Sequence, residues 1–155
     1  MRVLTFRVGD EPLALDIRHV REVLPRVNLQ SVGGAPDWLA GVFVYRGRVI
    51  PVIDLHRLAG AGDCPPHLSS RIILVSHATP DGKEQFVGLL ATQVADIREI
   101  RADEPVLAGI AAGGQADLGP VVADGSSVLR LVDPDRLLPG AAWRQILALP
   151  AEAGA

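Results

Sequence analysis

Residues 41–55 read GVFVYRGRVIPVIDL, and this stretch decides the fold. Its two apolar runs, residues 42–45 and 49–53, are separated by a short turn that contains Gly47. Apolar, β-branched and aromatic residues on both sides of a glycine-containing turn are typical of a β-hairpin. We therefore predict two antiparallel strands joined by a tight turn.

The composition of the 155-residue chain indicates a compact, folded domain. Hydrophobic residues make up 48% of it and the formal net charge is only −3, a balance that excludes intrinsic disorder. No apolar run approaches the roughly 18 residues that a membrane span needs, so we expect no insertion into a membrane. The N-terminus shows no export-signal pattern, and we expect a cytoplasmic protein. Cys64 is the only cysteine, which excludes an internal disulfide.

Further strands are predicted on both sides of the hairpin. Residues 3–8 alternate apolar and polar side chains before a Gly-Asp-Glu-Pro turn, which predicts an opening hairpin. A helical turn is expected at 17–19, followed by a strand, and another helical turn at 36–40. A similar hairpin is predicted from residues 71–76 and 85–90, around a polar turn at 79–83.

The chain carries an internal repeat. Residues 14–23 match residues 88–97 at an offset of 74, and Ile53-Asp54 matches Val132-Asp133 at an offset of 79. A repeat indicates repeated structural units, and each unit has several short strands but no long helix to cover an open sheet. Closure into a barrel removes exposed sheet edges, which promote aggregation. The predicted fold class is mainly all-β, with two small five-stranded β-barrels that share a core.

We predict a single domain over residues 1–155 that consists of two subdomains. The Gly- and Pro-rich connector at 59–70 is the expected boundary between them. Subdomain 1 then comprises residues 1–58 together with a C-terminal helix at 140–149. Subdomain 2 comprises residues 71–138.

Short capping helices and the C-terminal helix complete this prediction. Asp54 and Asp133 follow the last strand of each unit, where an aspartate side chain caps a helix. Trp143, Ile146 and Leu147 fall on one face of the C-terminal helix. We expect that helix to seal a barrel end or the seam between the barrels.

The sequence shows no pattern for catalysis, a metal or a cofactor. No two of its four histidines are two, three or four residues apart, so no local metal clip is present. These histidines are His19, His56, His67 and His77. No serine occupies a Gly-x-Ser-x-Gly elbow, and the glycines form neither a P-loop nor a dinucleotide-binding motif. We expect a protein that is not an enzyme and that binds no cofactor.

Two alternative functions remain open at this point. A small β-barrel that binds nucleic acid or a peptide is one, and nucleic acid would require basic grooves with stacking aromatic residues. Acidic residues outnumber basic ones by 18 to 15 and few aromatic residues are present, so we expect no nucleic-acid partner. A hydrolase is the other, and it would need converging polar groups in a pocket.

Residues 41–55 resemble the chemotaxis coupling protein family, the CheW-like domain. The family pattern runs approximately Gly-Val-x-x-x-Arg-Gly-x-x-x-Pro-[Val/Ile]-[Val/Ile]-Asp-Leu, and this stretch satisfies it throughout. Residues 6–23 resemble the family's opening hairpin and its Val-x-Glu-Ile segment. Val87-Gly88, Val94 and the segments around Asp133 and Leu137 fit its second half, so the resemblance covers nearly the whole chain.

The resemblance implies a fold and a function. Members of the family have two SH3-like five-stranded barrels around a shared core, and they are adaptors without catalytic activity. One face binds the cytoplasmic tip of a chemoreceptor, which is a methyl-accepting protein. Another face binds the regulatory domain of a CheA-type histidine kinase. The implied location is cytoplasmic, at membrane-associated receptor arrays.

The resemblance also implies a set of site residues. Val20, Glu22 and Arg46 are the receptor-contacting positions, and Gly41 and Gly47 shape the backbone near them. For Arg46, a solvated turn charge or an internal ion pair with Glu22 is the alternative, and for Val20 it is plain core packing. The remaining motif residues are assigned to structure, and these are Pro51, Ile53, Asp54 and Leu55.

One departure from the family pattern bears on the pathway. The family often has Asn-Leu before its Arg-Gly, where this chain has Val44-Tyr45. A Tyr-Arg-Gly variant is similar to coupling proteins of alternative chemosensory systems, including surface-sensing ones.

Overall fold

The computed structural model describes residues 1–66, 69–78, 84–101, 105–107, 111–112 and 116–147. The strands are β1 Arg2–Val8, β2 Glu11–Asp16, β3 Val20–Pro25, β4 Leu39–Tyr45, β5 Arg48–Asp54, β6 Arg71–Ala78, β7 Glu84–Ala91, β8 Ile97–Glu99, β9 Pro105–Leu107, β10 Ala111–Ala112, β11 Ala116–Asp117, β12 Val121–Asp124 and β13 Ser127–Val132. The helices are α1 Leu55–Leu58 and α2 Gly140–Leu147, with 3-10 helices at Ile17–His19 and Pro134–Arg136. The predicted turn at 79–83 and His67 lie outside the described residues.

Two main sheets form the body of the molecule. One has the strand order β8-β1-β2-β13-β12-β9, and the other has the order β3-β6-β7-β5-β4. The short strands β10 and β11 pair with each other. The predicted hairpin at 41–55 is confirmed, because β4 and β5 pair in antiparallel fashion with Tyr45 opposite Arg48. The mainly all-β prediction is therefore correct.

The two main sheets have equivalent strand orders, but each sheet contains strands from both halves of the repeat. Strands β1 and β2 lie beside β8, β13 and β12 of the second half, whereas β6 and β7 lie beside β3, β5 and β4 of the first half. Each main sheet thus takes two strands from one half and the rest from the other half. The predicted subdomains, 1–58 and 71–138, do not correspond to the two sheets.

This exchange of strands creates one parallel strand pair in each main sheet. β2 runs parallel to β13, with Leu15 opposite Val132, and β5 runs parallel to β7, with Ile53 opposite Leu89. Parallel neighbours cannot be joined by a tight hairpin and require a long connection. Each opening hairpin therefore continues into the sheet that the other half of the chain completes.

The principal core lies between the two sheets and draws on both. Ile53 is fully buried there, as predicted, with an exposed fraction of 0%. Its neighbours in this cluster come from the first sheet, from the second sheet and from the C-terminal segment, and include Phe6, Leu15, Leu89, Val132, Leu137 and Trp143. One apolar cluster thus serves both sheets, and each sheet also has a smaller buried cluster of its own, around Val122 and Leu129 in the first sheet and around Ile72 and Leu90 in the second.

The predicted helix caps are confirmed. One carboxylate oxygen of Asp54 accepts hydrogen bonds from the backbone N–H groups of His56 and Arg57, at 2.9 and 3.3 Å. Asp133 accepts one from the Asp135 N–H at 3.0 Å, and Pro134 occupies the first helical position after it. The aspartates of the repeat therefore serve the same structural purpose in both halves.

Two predicted helical segments, 36–40 and 140–149, can be compared with the structure, and the first of them differs in extent. Residues 36–40 form a hydrogen-bonded turn, with the Leu39 N–H donating to the Pro36 carbonyl at 3.0 Å, and β4 begins at Leu39. Strand pairing overrides the local helical pattern there, because Leu39 already pairs with Ile53 in the sheet. Helix α2 buries Trp143 and Ile146 in the principal core, as expected for a seal over the barrels. The predicted extension of this helix to 149 lies outside the described residues.

Candidate functional site

A concavity of about 240 Å³ lies at the turn end of the β4–β5 hairpin, and we call it the mouth. Strands β3 to β7 all contribute to it. The mouth is lined by Val20, Arg21, Glu22, Tyr45, Arg46, Arg48, Leu74 and Phe86. The site therefore combines an apolar floor with a rim of charged side chains.

A side-chain contact between the two edge strands holds the mouth together. Strands β3 and β4 are at opposite ends of the strand order β3-β6-β7-β5-β4. The Tyr45 hydroxyl on β4 nevertheless donates a hydrogen bond to the Glu22 carboxylate on β3. The sheet is thus curled strongly enough to bring its edges within contact distance, as in a small barrel.

The turn of the hairpin places Arg46 in an unusual backbone conformation. β4 ends at Tyr45 and β5 begins at Arg48, so Arg46 and Gly47 form a two-residue turn with φ angles of 51° and 77°. Positive φ at both positions is typical of a type I′ turn, which favours Asn-Gly or Gly-Gly. Gly47 satisfies that preference. Arg46 does not, and a non-glycine residue in this region costs about 1 kcal/mol or more.

Three guanidinium groups line the rim, and each stacks on an aromatic ring. The Cζ atom of Arg46 lies 5.1 Å from the centre of the Tyr45 ring. The Cζ atoms of Arg48 and Arg21 lie 4.7 and 5.5 Å from the centre of the Phe86 ring. Such contacts fix the plane of a guanidinium group and leave its N–H edges available for acceptors.

Glu84 organises the two arginines at Phe86. Its carboxylate lies 3.5 Å from the Arg21 Nε atom, and both side chains are about half exposed, at 47% and 53%. Its backbone carbonyl accepts a hydrogen bond from Arg48 at 2.9 Å. The ion pair is exposed and contributes little to stability. Glu84 therefore orients these arginines and neutralises only one of them.

The structure brings together most of the predicted site residues. Val20, Glu22 and Arg46 all line the mouth, and Gly47 forms its turn. Val20 is half-buried and packs against the principal core, so the core-packing role considered for it is present. Their role in binding stays a prediction. The alternative of an Arg46–Glu22 ion pair is not seen among the described residues, where Glu22 accepts from Tyr45 instead.

Gly41 is the predicted site residue that lies elsewhere. It is buried in the first half of β4 with φ 148°, and a Cβ atom there would approach the Gln30 carbonyl oxygen to 2.6 Å. Gln30 pairs with the neighbouring Val42 through two backbone hydrogen bonds of 2.9 Å. The glycine thus allows the segment before β4 to cross close to the strand, which is a structural role at some distance from the mouth.

Sequence reasoning missed Arg21, Arg48 and Phe86. Arg48 had a detectable signal, since it flanks the same turn as Arg46 and follows it on the chain by two residues. Phe86 had none, because it pairs with Ser76 on β6 and meets Arg48 only where the β6–β7 hairpin lies beside β5 in the sheet. Tyr45 stood out only as a departure from the family pattern, and it is the residue that joins the two edge strands.

A buried group of three polar side chains lies away from the mouth. Potential metal-ligating atoms of Asp54, His56 and Cys64 lie within 4.8 Å of one another, and this is the only such group in the described part of the chain. The second carboxylate oxygen of Asp54 accepts from the Cys64 N–H at 2.9 Å, and the His56 Nε2 atom accepts from the Gly9 N–H at 3.0 Å. These side chains therefore brace the backbone of three loops.

Burial governs the protonation of this group. It lowers the pKa of His56 and raises the pKa of the Cys64 thiol, which the negative charge of Asp54 raises further. A thiol must lose its proton before it binds a metal tightly or reacts as a nucleophile. The local environment opposes both, which is consistent with a structural role for Cys64.

Comparison with known proteins identifies the class to which this architecture belongs. Residues 2–142 match the model of the CheW-like domain family, so the chain belongs to that family. It is a scaffold or coupling protein of chemosensory systems and not an enzyme. No helix in the described part of the chain is both long and apolar enough to span a membrane.

Individual relatives agree with this assignment. Probable chemotaxis protein CheW of Rhizobium etli is 30% identical over 95 residues, which are 61% of this chain and 58% of that protein. Protein FrzA of Myxococcus xanthus is 32% identical over 145 residues, covering 91% of this chain and 87% of FrzA. The crystal structure of scaffolding protein TtCheW from Thermoanaerobacter tengcongensis matches with a TM-score of 0.70 at 25% identity, covering 86% of this chain and 84% of that one. The match confirms two SH3-like β-barrel subdomains.

Proposed function

We propose that this protein couples the cytoplasmic tip of a chemoreceptor to the regulatory domain of a CheA-type histidine kinase, within membrane-associated receptor arrays. Membership in the CheW-like family supports the coupling role. The observation that carries the receptor side is the convergence in one concavity of Val20 and Glu22, from β3, with Arg46, from the β4–β5 turn.

The shape and chemistry of the mouth suit a helical partner. A receptor tip is a helical hairpin, and such a segment presents apolar anchors flanked by charges. Leu74 and Phe86 supply the apolar floor, and the arginines supply a polar rim. A Cβ atom placed on Gly47 would meet nothing within 4 Å, so the turn leaves open space on that side for a helix to approach.

The kinase domain requires a second surface. Because the two partners are held at the same time, they must bind to different faces of the molecule. Substitutions in the mouth should therefore reduce receptor binding and leave kinase binding unchanged. This separation makes the proposal testable on one protein with two binding assays.

The experiment compares Arg46→Ala with the control variant Arg2→Ala. Arg2 is an exposed arginine like Arg46, but it lies on β1 of the other sheet. Arg46→Ala should weaken co-sedimentation with receptor-bearing membranes by about thirtyfold, since truncating an arginine at the centre of an interface costs about 2 kcal/mol. Arg2→Ala should bind receptor normally, and both variants should capture a kinase regulatory-domain fragment like the wild type. Normal receptor binding by Arg46→Ala would overturn the assignment of the mouth.

We also propose that the protein serves an alternative chemosensory system, with surface sensing as one example. The Tyr45-Arg46-Gly47 variant of the motif supports this. The neighbouring genes test it, because the type of response regulator encoded beside a receptor and a kinase identifies the pathway. A flagellar-type single-domain regulator alone would contradict it.

A further inference from the structure

We propose that the mouth recognises acidic side chains on its partner helix, through Arg48 and Arg21 stacked on Phe86 together with Arg46. This inference rests on the proposed function and specifies the chemistry of the partner segment. It assigns binding roles to two arginines and a phenylalanine that the motif does not include.

The arrangement of charge supports an anionic partner. The mouth holds three guanidinium groups and has two carboxylates at its edge, Glu22 and Glu84, so it carries an excess of positive charge in a chain whose formal net charge is −3. Glu22 already accepts from the Tyr45 hydroxyl. Among the described residues, no carboxylate forms an ion pair with Arg46 or Arg48.

The geometry of the arginines suits carboxylates in particular. Arg48 and Arg21 lie against one ring, at 4.7 and 5.5 Å from its centre, although their like charges repel. The Phe86 ring and Glu84 hold them in place before any partner arrives. A guanidinium fixed in this way loses little side-chain entropy on binding and can donate two parallel N–H bonds to a carboxylate.

The other barrel provides an internal comparison. Its corresponding hairpin, β12–β13, turns through Gly125 and Ser126, with Asp124 opposite Ser127. No arginine occupies this turn or its flanking positions. A hairpin of this type therefore forms without arginines, so folding alone does not account for Arg46 and Arg48 at the β4–β5 turn.

The test is a double-mutant cycle on binding. The probes are a soluble chemoreceptor-tip hairpin fragment and the same fragment with its glutamates changed to glutamine, titrated against the protein at low and high salt. Arg48→Gln and Arg21→Gln should each weaken binding to the first fragment about tenfold at low salt and reduce the dependence of binding on salt. Arg48→Lys should recover part of the affinity, because a point charge replaces only part of a planar fork. Arg2→Gln is the matched control and should bind like the wild type.

The cycle separates this inference from the proposed function. The glutamine fragment should bind the wild type and Arg48→Gln with similar affinity, because the interacting carboxylates are gone. Acidic recognition is overturned, and the proposed function stands, if two results are found together. The arginine variants bind the original fragment as tightly as the wild type does, and the wild type binds the glutamine fragment as tightly as the original one. If the wild type binds neither the fragment nor receptor-bearing membranes, the proposed function fails and this inference fails with it. Thermal melts show whether each variant is folded.

Discussion

Replacing Arg46 by asparagine separates the backbone conformation that the turn requires from the guanidinium group that we assign to binding. The backbone there has φ 51°, a conformation that asparagine adopts more readily than arginine. Asparagine also lacks the guanidinium group that stacks on Tyr45 at 5.1 Å. The variant therefore retains the turn and removes the charge.

Two opposing effects set the expected stability. Relief of the left-handed backbone strain stabilises the folded state by about 1 kcal/mol. Loss of an exposed cation–π contact costs about 0.5–1 kcal/mol. The sum is close to zero, so the melting temperature of Arg46→Asn should lie within about 3 °C of the wild type. Arg46→Ala keeps more of the strain and also loses the contact, and it should melt slightly lower.

Binding should respond very differently. Removal of the guanidinium group should weaken receptor binding about thirtyfold in Arg46→Asn, the same loss as in Arg46→Ala. The assay is a thermal melt and a receptor titration on the same preparations, with Arg46→Lys as a partial rescue.

Two results would refute this reasoning. A fall in melting temperature of about 10 °C for Arg46→Asn would correspond to several kcal/mol and would make Arg46 a structural brace. A stable Arg46→Asn variant that binds receptor like the wild type would show that the strained arginine has no part in the interface.

Two further predictions concern the core and its buried histidine. Ile53→Ala should destabilise the fold by about 2–5 kcal/mol, because Ile53 is fully buried in the principal core; chemical denaturation measures this, and an unchanged midpoint would contradict the packing. Burial lowers the pKa of His56. Near and below the ordinary histidine pKa of about 6.5, the unfolded chain therefore binds more protons than the folded protein. Stability should therefore fall as the pH drops from 7.5 to 5.5, by at most about 1.4 kcal/mol per pH unit. His56→Gln should show a smaller fall, and identical pH profiles would count against the assignment.

Local patterns in the sequence predicted much of the fold. The stretch 41–55 carries its own turn between two apolar runs, and the caps at Asp54 and Asp133 follow from side-chain chemistry near a helix start. These features depend on residues that are close along the chain. The repeat also predicted correctly that two similar sets of strands exist.

The exchange of strands between the halves was not predictable in the same way. The pairing of Leu15 with Val132 joins residues far apart on the chain, and the apolar pattern of β2 suits either neighbour equally well. The same limit applies to the site. Val20, Glu22 and Arg46 belong to motif positions, whereas Phe86 reaches the mouth because the β6–β7 hairpin lies between β3 and β5, a placement that no local spacing encodes.

The convergence of Asp54, His56 and Cys64 is a further example. The spacing of these residues resembles no metal or catalytic motif, and the connector at 59–70 shows only turn-forming composition. The fold bends this connector back so that the Cys64 N–H reaches the Asp54 carboxylate at 2.9 Å. Such contacts depend on the path of a loop, which composition does not specify.

The exchanged strands also determine how the molecule responds to being cut. Four strand pairings join residues before the connector to residues after it: β1 with β8, β2 with β13, β3 with β6 and β5 with β7. A protease that nicks the chain at 59–70 would leave two fragments interlocked, each of which completes the other's barrel. Backbone hydrogen bonds within each barrel therefore hold the two fragments together, whereas the barrels themselves are joined by two short chain segments, residues 17–19 between β2 and β3 and residues 92–96 between β7 and β8. A partner that pulls on one barrel would load the other directly, with no slack between them.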